Sequence, residues 1–187
     1  MSRHYSNNVT KITAFIFSFA LLFLHGCGTA PIDYKNTSPE FDLKDFFTGE
    51  LKGWGYIKNY QGKVTKRFVV DLTGTWKDNN GVLYELFTYQ DGSTQERTWY
   101  LTKQKNNINT GTASDVIGTA RGNQEGFAFK WNYDLLIESE GKQIKVHLQD
   151  WIYQIDDDSV ISQAKIKKFG LNVGEVVVFI LKEGAST

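Results

Sequence analysis

The sequence predicts an all-β protein: an antiparallel up-and-down barrel of about eight or nine strands, preceded by a signal helix and a short N-terminal helical turn. Three features carry this expectation. Apolar residues repeat with a period of two, turn residues recur at short intervals, and no long amphipathic helix separates the apolar runs. The chain has 187 residues, 41% hydrophobic and 14% aromatic. That suits one domain with a sizeable core and argues against disorder. Twenty-one basic residues balance 21 acidic ones, so there is no basic footprint for nucleic acid. The single Cys excludes an internal disulfide and any multi-cysteine metal site.

The amino terminus reads as an address. Arg3 and Lys11 give a basic start, and residues 12–24 (ITAFIFSFALLFL) carry no charge. A bilayer span needs roughly 20 apolar residues, so this run fits the apolar core of a secretory signal instead. It ends in Leu24-His25-Gly26-Cys27, which resembles the lipobox of bacterial lipoproteins, with His25 where a small residue is usual. The resemblance implies a signal peptide over residues 1–26 and acylation of Cys27. One acyl chain holds a membrane weakly, whereas two or three hold it stably. Gly28, not Asp, follows the Cys; the resemblance then implies the outer membrane, facing the periplasm. The processed chain loses Arg3 and Lys11 and no acid, leaving 19 basic against 21 acidic residues, and keeps His147 as its sole His.

Residues 27–48 are expected to form an acylated tether and a short helix. Residues 28–38 are small and polar and read as a flexible spacer. Residues 39–47 (PEFDLKDFF) suit a helical turn with Pro39 at its start. Phe41, Leu43, Phe46 and Phe47 would let it act as a lid or plug.

Residues 49–187 form the barrel domain. Nine strands are expected near 50–60, 64–76, 82–89, 94–103, 112–120, 127–138, 143–153, 160–169 and 175–182. The turns between them include Gln61-Gly62, Asn79-Asn80-Gly81, Asp91-Gly92 and Glu140-Gly141. In 127–138, Phe127, Phe129, Trp131, Tyr133, Leu135 and Ile137 alternate with Ala128, Lys130, Asn132, Asp134, Leu136 and Glu138. Such alternation suits a sheet with one buried face, and closing that sheet removes exposed edges. A membrane-spanning barrel would need apolar outward bands; Arg67, Asp71, Lys130 and Asp134 on that face argue against one.

Four motifs then resemble a known family. They are Asp91-Gly92-x4-Arg97-x-Trp99, Thr112-Ala113-x-Asp115-Val116-x-Gly118-x-Ala120-x-Gly122, Asp150-Trp151-x-Tyr153 and Lys168-Phe169-Gly170-x3-Gly174-Glu175. Together they are similar to a family of Gram-negative lipoproteins described only as a domain of unknown function. The resemblance implies a lipocalin-like, or calycin-like, barrel and no established activity. Gly74-Thr75-Trp76 has the form of the lipocalin Gly-x-Trp signature but falls on the second strand rather than the first.

Catalytic schemes find few parts here. No Cys is free for catalysis, and His147 shares a strand face with Lys145 and Gln149, so it should be exposed. Neither HExxH, a P-loop nor a dinucleotide fingerprint occurs. No cofactor is expected.

The informative residues are charges on inward faces. Asp150 shares parity with Leu148 and Ile152, Lys168 with Ala164 and Ile166, and Arg97 with Trp99 and Leu101. Burying an unpaired charge costs several kcal/mol, so each needs a partner or a place near the barrel mouth. In one reading Arg97 or Lys168 pairs with Asp150 or Asp115 and ties strands together. In the other, Arg97 and Lys168 meet the anionic head of a lipid-like ligand whose tail lies along Phe129, Trp131 and Tyr133.

Three functions follow. The first is a membrane-tethered module that binds a lipid or other small apolar molecule. The second is an assembly lipoprotein holding a protein partner of unknown identity. The third is a hydrolase using Asp115, Asp150 or Glu85, which needs two carboxylates facing one cleft.

Overall fold

A computed structural model describes residues 29–139 and 141–184. The signal segment and Cys27 lie outside the described residues. Ten antiparallel strands form a closed barrel: β1 (Gly49–Asn59), β2 (Val64–Lys77), β3 (Asn80–Tyr89), β4 (Thr94–Lys103), β5 (Ile108–Thr112), β6 (Val116–Glu125), β7 (Ala128–Ser139), β8 (Lys142–Gln154), β9 (Ser159–Lys168) and β10 (Leu171–Lys182). Each strand pairs with its chain neighbours, and β1 closes the ring on β10, with Gly53 opposite Ile180.

The expected barrel of eight or nine strands is therefore present with one more strand. The single strand expected over 112–120 is a hairpin, β5 and β6. Asn106 and Asn107, both at positive φ (60° and 59°), turn the chain from β4 into β5. Asn tolerates that conformation through its short polar side chain. The β5 sequence INTGT is polar and small, so it gives little apolar alternation to read.

Period-two burial runs through the sheet. Phe68, Val70 and Leu72 face inward on β2, as do Phe129, Trp131, Tyr133 and Leu135 on β7. Outward residues are largely polar. Asp134 pairs there with Lys145 at 2.7 Å and His147 at 2.8 Å. Phe127 departs from its expected inward place: it precedes β7 and packs its ring against Tyr34 at 4.9 Å.

The N-terminal segment stops one end of the barrel. A 3-10 turn (Pro31–Tyr34) leads to α1 (Leu43–Phe46). Asp42 caps α1 by accepting from the backbone N–H of Lys44 and Asp45, and its carboxylate pairs with Lys103. Phe41, Leu43, Phe46 and Phe47 are all buried, and Phe41 stacks on Phe129 at 5.5 Å. The expected plug is present, but its helical turn begins after the Asp42 cap and not at Pro39, because the Asp42 carboxylate takes the first free N–H groups. The spacer expectation needs correction from residue 31 onward. Tyr34 packs against Trp151 and Tyr153, Thr37 Oγ1 accepts from the Phe127 N–H, and the Phe41 N–H donates to the Gly126 carbonyl. Aromatic burial on the outer wall outweighs the polar composition of this stretch.

Gly74-Thr75-Trp76 serves this closure. The Trp76 indole N–H donates to the Phe47 carbonyl at 3.1 Å. A Cβ on Gly74 would stand 1.8 Å from the same oxygen, so only Gly lets the plug backbone approach β2 so closely. Residues from Pro31 onward form a compact unit.

Candidate functional site

Above the plug lies a cavity of about 930 Å³. The turns β2–β3, β4–β5, β6–β7 and β8–β9 sit at the plugged end. The other five turns ring the opposite, open end. Ten strands explain the space. Barrel diameter grows with strand number, and eight strands are just wide enough to be filled by side chains. Register shifts at Ile57/Lys58, Ile117/Arg121 and Asn172/Gly174 all fall in the open half, where bulges bend strands and end pairing.

The lining is mostly apolar. Phe129, Trp131 and Trp99 form its deeper wall, with Trp99 meeting Trp131 at 5.8 Å and Tyr133 at 5.3 Å. Phe68, Phe87 and Tyr89 form another side, with ring centroids 5.4 and 5.9 Å from Phe68. All eight residues expected inside, Arg97, Trp99, Asp115, Phe129, Trp131, Tyr133, Asp150 and Lys168, line this space.

Their charges are arranged in three places. On β4, Arg97 sends Nη2 to Asp115 Oδ2 at 2.7 Å and Nε to both Asp115 oxygens at 3.0 and 3.1 Å. Its Nη1 meets Glu85 Oε2 at 3.4 Å. The guanidinium also lies 5.6 Å from the Phe87 ring and 5.9 Å from Trp99. Burial works against the Arg97 charge, but Glu85 and Asp115 more than offset it and hold its pKa above the ordinary value. Burial raises the Glu85 pKa, and Arg97 pulls it only part of the way back.

Asp150 stands apart, on β8. One carboxylate oxygen accepts from the Ser162 hydroxyl at 2.8 Å. Burial pushes its pKa up to about 6, against the lowering effect of Ser162. Tyr133, on β7, is 9% exposed. Its pKa is raised, first by burial and then by the Asp150 charge. Lys168 lies at the rim, 5.5 Å over the Phe169 ring.

These places decide between the two sequence readings of Arg97. It ties β4 to the β5–β6 turn through Asp115, as in the strand-tying reading. It is not a spare cation beside Lys168 for an anionic head. Neither basic residue pairs with Asp150, which takes Ser162 instead. Glu85 and Asp115 are both engaged by Arg97, so they do not form a free acid–base pair with Asp150. Among the described residues, no group of three His, Cys, Asp or Glu side chains could hold a metal ion.

Two polar partners escaped the sequence reading. From the sequence, Glu85 stands out only as a candidate acid or base, although it shares parity with Leu83 and Phe87. Ser162 shares parity with Val160 and Ala164, and that signal could have placed it opposite Asp150.

The fold has solved counterparts. The chain is similar to an S-type phycobiliprotein lyase, CPES, from Guillardia theta, with a TM-score of 0.58 and 10% identity. The match covers 78% of this chain and 95% of that one. At that identity the likeness is one of fold, and it agrees with the calycin-like barrel expected from the sequence. No curated protein shows significant sequence similarity to the chain. Residues 21–182 match the model of a family described as a protein of unknown function, DUF3833. That span takes in every strand of the barrel, and the chain belongs to the DUF3833 family.

Proposed function

We propose that this protein is an outer-membrane lipoprotein, anchored through acylated Cys27, whose periplasmic barrel binds a lipid or other small apolar molecule. The cavity carries the reading. Its volume of about 930 Å³ falls in the range of small-molecule sites, which are mostly apolar with a few placed polar groups. A plug at one end and an opening at the other suit a ligand that enters lengthwise. The fold of the phycobiliprotein lyase supports a barrel of this type without naming a ligand. The lipobox-like Leu24-His25-Gly26-Cys27 supports the anchor.

Organic extraction and mass spectrometry of the mature protein test the binding. About one apolar molecule per barrel is expected. Ala164→Phe, which places a ring into the lined space, should lower that occupancy while the barrel stays folded. Equal occupancy in both proteins, or an empty barrel that takes up nothing, would remove the reading.

A partner-binding function has one observation in its favour. At the open rim, Tyr60 and Phe169, on the turns after β1 and before β10, and Leu171, the first residue of β10, are 74%, 93% and 71% exposed. Photocrosslinking from position 169 in cells tests it: a single stoichiometric protein adduct would favour this reading.

A further inference from the structure

We propose that the ligand's buried end is a cationic hydrogen-bond donor of the amine type, received by Asp150 and Tyr133, and that the cavity discriminates against carboxylate-headed lipids. This rests on the reading of the cavity as a ligand site and names the chemistry that it selects.

The first ground is the charge inventory. Four basic side chains line the space: Lys58, Lys66, Arg97 and Lys168. Lys58 is paired with Glu175 at 3.0 Å. Lys66 and Lys168 belong to the rim, lying over the rings of Tyr89 and Phe169. Arg97 is the deep one, and Asp115 and Glu85 already occupy its Nε, Nη1 and Nη2. Leaving aside the rim residues Lys66, Lys168 and Glu138 and the paired Lys58, three acids (Glu85, Asp115, Asp150) face one base. An anionic head carried to that depth finds no open cation and meets net negative charge. In a cavity with apolar walls that repulsion is weakly screened.

The second ground is an acceptor surface already in place. The Tyr133 side chain is more than nine-tenths buried and lines the cavity. Its phenol group is near enough to Asp150 to feel that charge. Asp150 accepts from Ser162 at one oxygen and lines the same space. Trp131 pairs with Asp150 and Tyr133 with Leu148 across β7–β8, so Tyr133 and Asp150 are diagonal neighbours on one inner face. An ammonium group there would gain a carboxylate and a phenol oxygen, both acceptors, while its chain runs along Trp99, Phe87 and Phe68. A carboxylate there would face Asp150.

Three ten-carbon probes separate the possibilities: decylammonium, decanol and decanoate, titrated calorimetrically at pH 7.5 into the mature protein. Decylammonium should bind at least tenfold more tightly than decanoate, with decanol between them. Asp150→Asn, which keeps the Ser162 bond and the shape, should reduce the amine-to-carboxylate ratio to threefold or less. Tyr133→Phe should weaken decylammonium without improving decanoate. Equal affinities, a preference for decanoate, or an Asp150→Asn protein with the ratio unchanged would overturn the proposal while leaving the cavity a ligand site. Failure of all three probes to bind would remove the ligand-binding reading, and this inference with it.

Discussion

Arg97 and Asp115 are joined by three contacts between 2.7 and 3.1 Å, facing the inside of the barrel. Asp115 lies in the short link between β5 and β6, the hairpin with the weakest apolar pattern. The pair fastens that link to β4. Arg97→Met leaves Asp115 and Glu85 without their counter-charge. Breaking one side of a buried pair costs about 3–5 kcal/mol. Denaturant unfolding should show a loss of that order, and Arg97→Met with Asp115→Asn should recover part of it. A double variant as unstable as the sum of the two singles would mean that the residues are not coupled.

Gly74 and Trp76 hold the plug. Gly74→Ala forces its new Cβ against the Phe47 carbonyl, and the plug backbone must move. A loss of about 1–3 kcal/mol is expected. Trp76→Phe keeps an aromatic ring but abandons the hydrogen bond to Phe47, costing about 1 kcal/mol. Hydrogen exchange should localise both effects to the backbone around residues 41–48. Unchanged protection there would count against the plug's dependence on this pair.

Asp150 gives stability a pH dependence of definite sign. Its pKa rises from 3.8 to about 6 on folding. Below about pH 4 the group is protonated in both states and costs nothing. Between about pH 4 and 6 the unfolded chain releases the proton first, so stability falls as pH rises. Above 6 the full penalty remains. Asp150→Asn should therefore raise Tm at pH 7.5, by up to roughly 6–12 °C, and leave it unchanged near pH 3.5. A Tm difference that is the same at both values would contradict the burial of this carboxylate.

Cys27→Ser tests the anchor separately from the barrel. Membrane fractionation and labelling with a radioactive fatty acid should show acylation of the native chain and none in the variant. A native chain without label would refute the lipoprotein reading and leave the cavity chemistry standing.

Much of this architecture was legible because period-two alternation on β2 and β7 reports directly which face is buried. The plug was legible too, since four large apolar residues in a nine-residue stretch need a place to go. Two things were hidden. Asn106, Asn107 and the polar β5 make a hairpin that has no apolar stripe, so the strand count came out one short. That error bears on the site, because a wider ring can leave space where a narrower one fills. Parity also identified the inward charges without telling which of them met. Arg97 and Asp115 are 18 residues apart, and their contact depends on where the missed hairpin places its turn. Trp151 and Tyr153 show the same limit from outside. They are aromatic yet outward, because Tyr34 covers that stretch of wall.

The position of Tyr34 bears on how a tethered barrel would be oriented. It rests on Phe127 beside the plugged end, and only three residues stand between Cys27 and Pro31. A fully extended link of that length reaches about 14 Å at most. An anchor on Cys27, as proposed, would be joined to the barrel at its stoppered base and not at its opening. Cargo entering such a tethered barrel would pass through the end opposite its point of attachment.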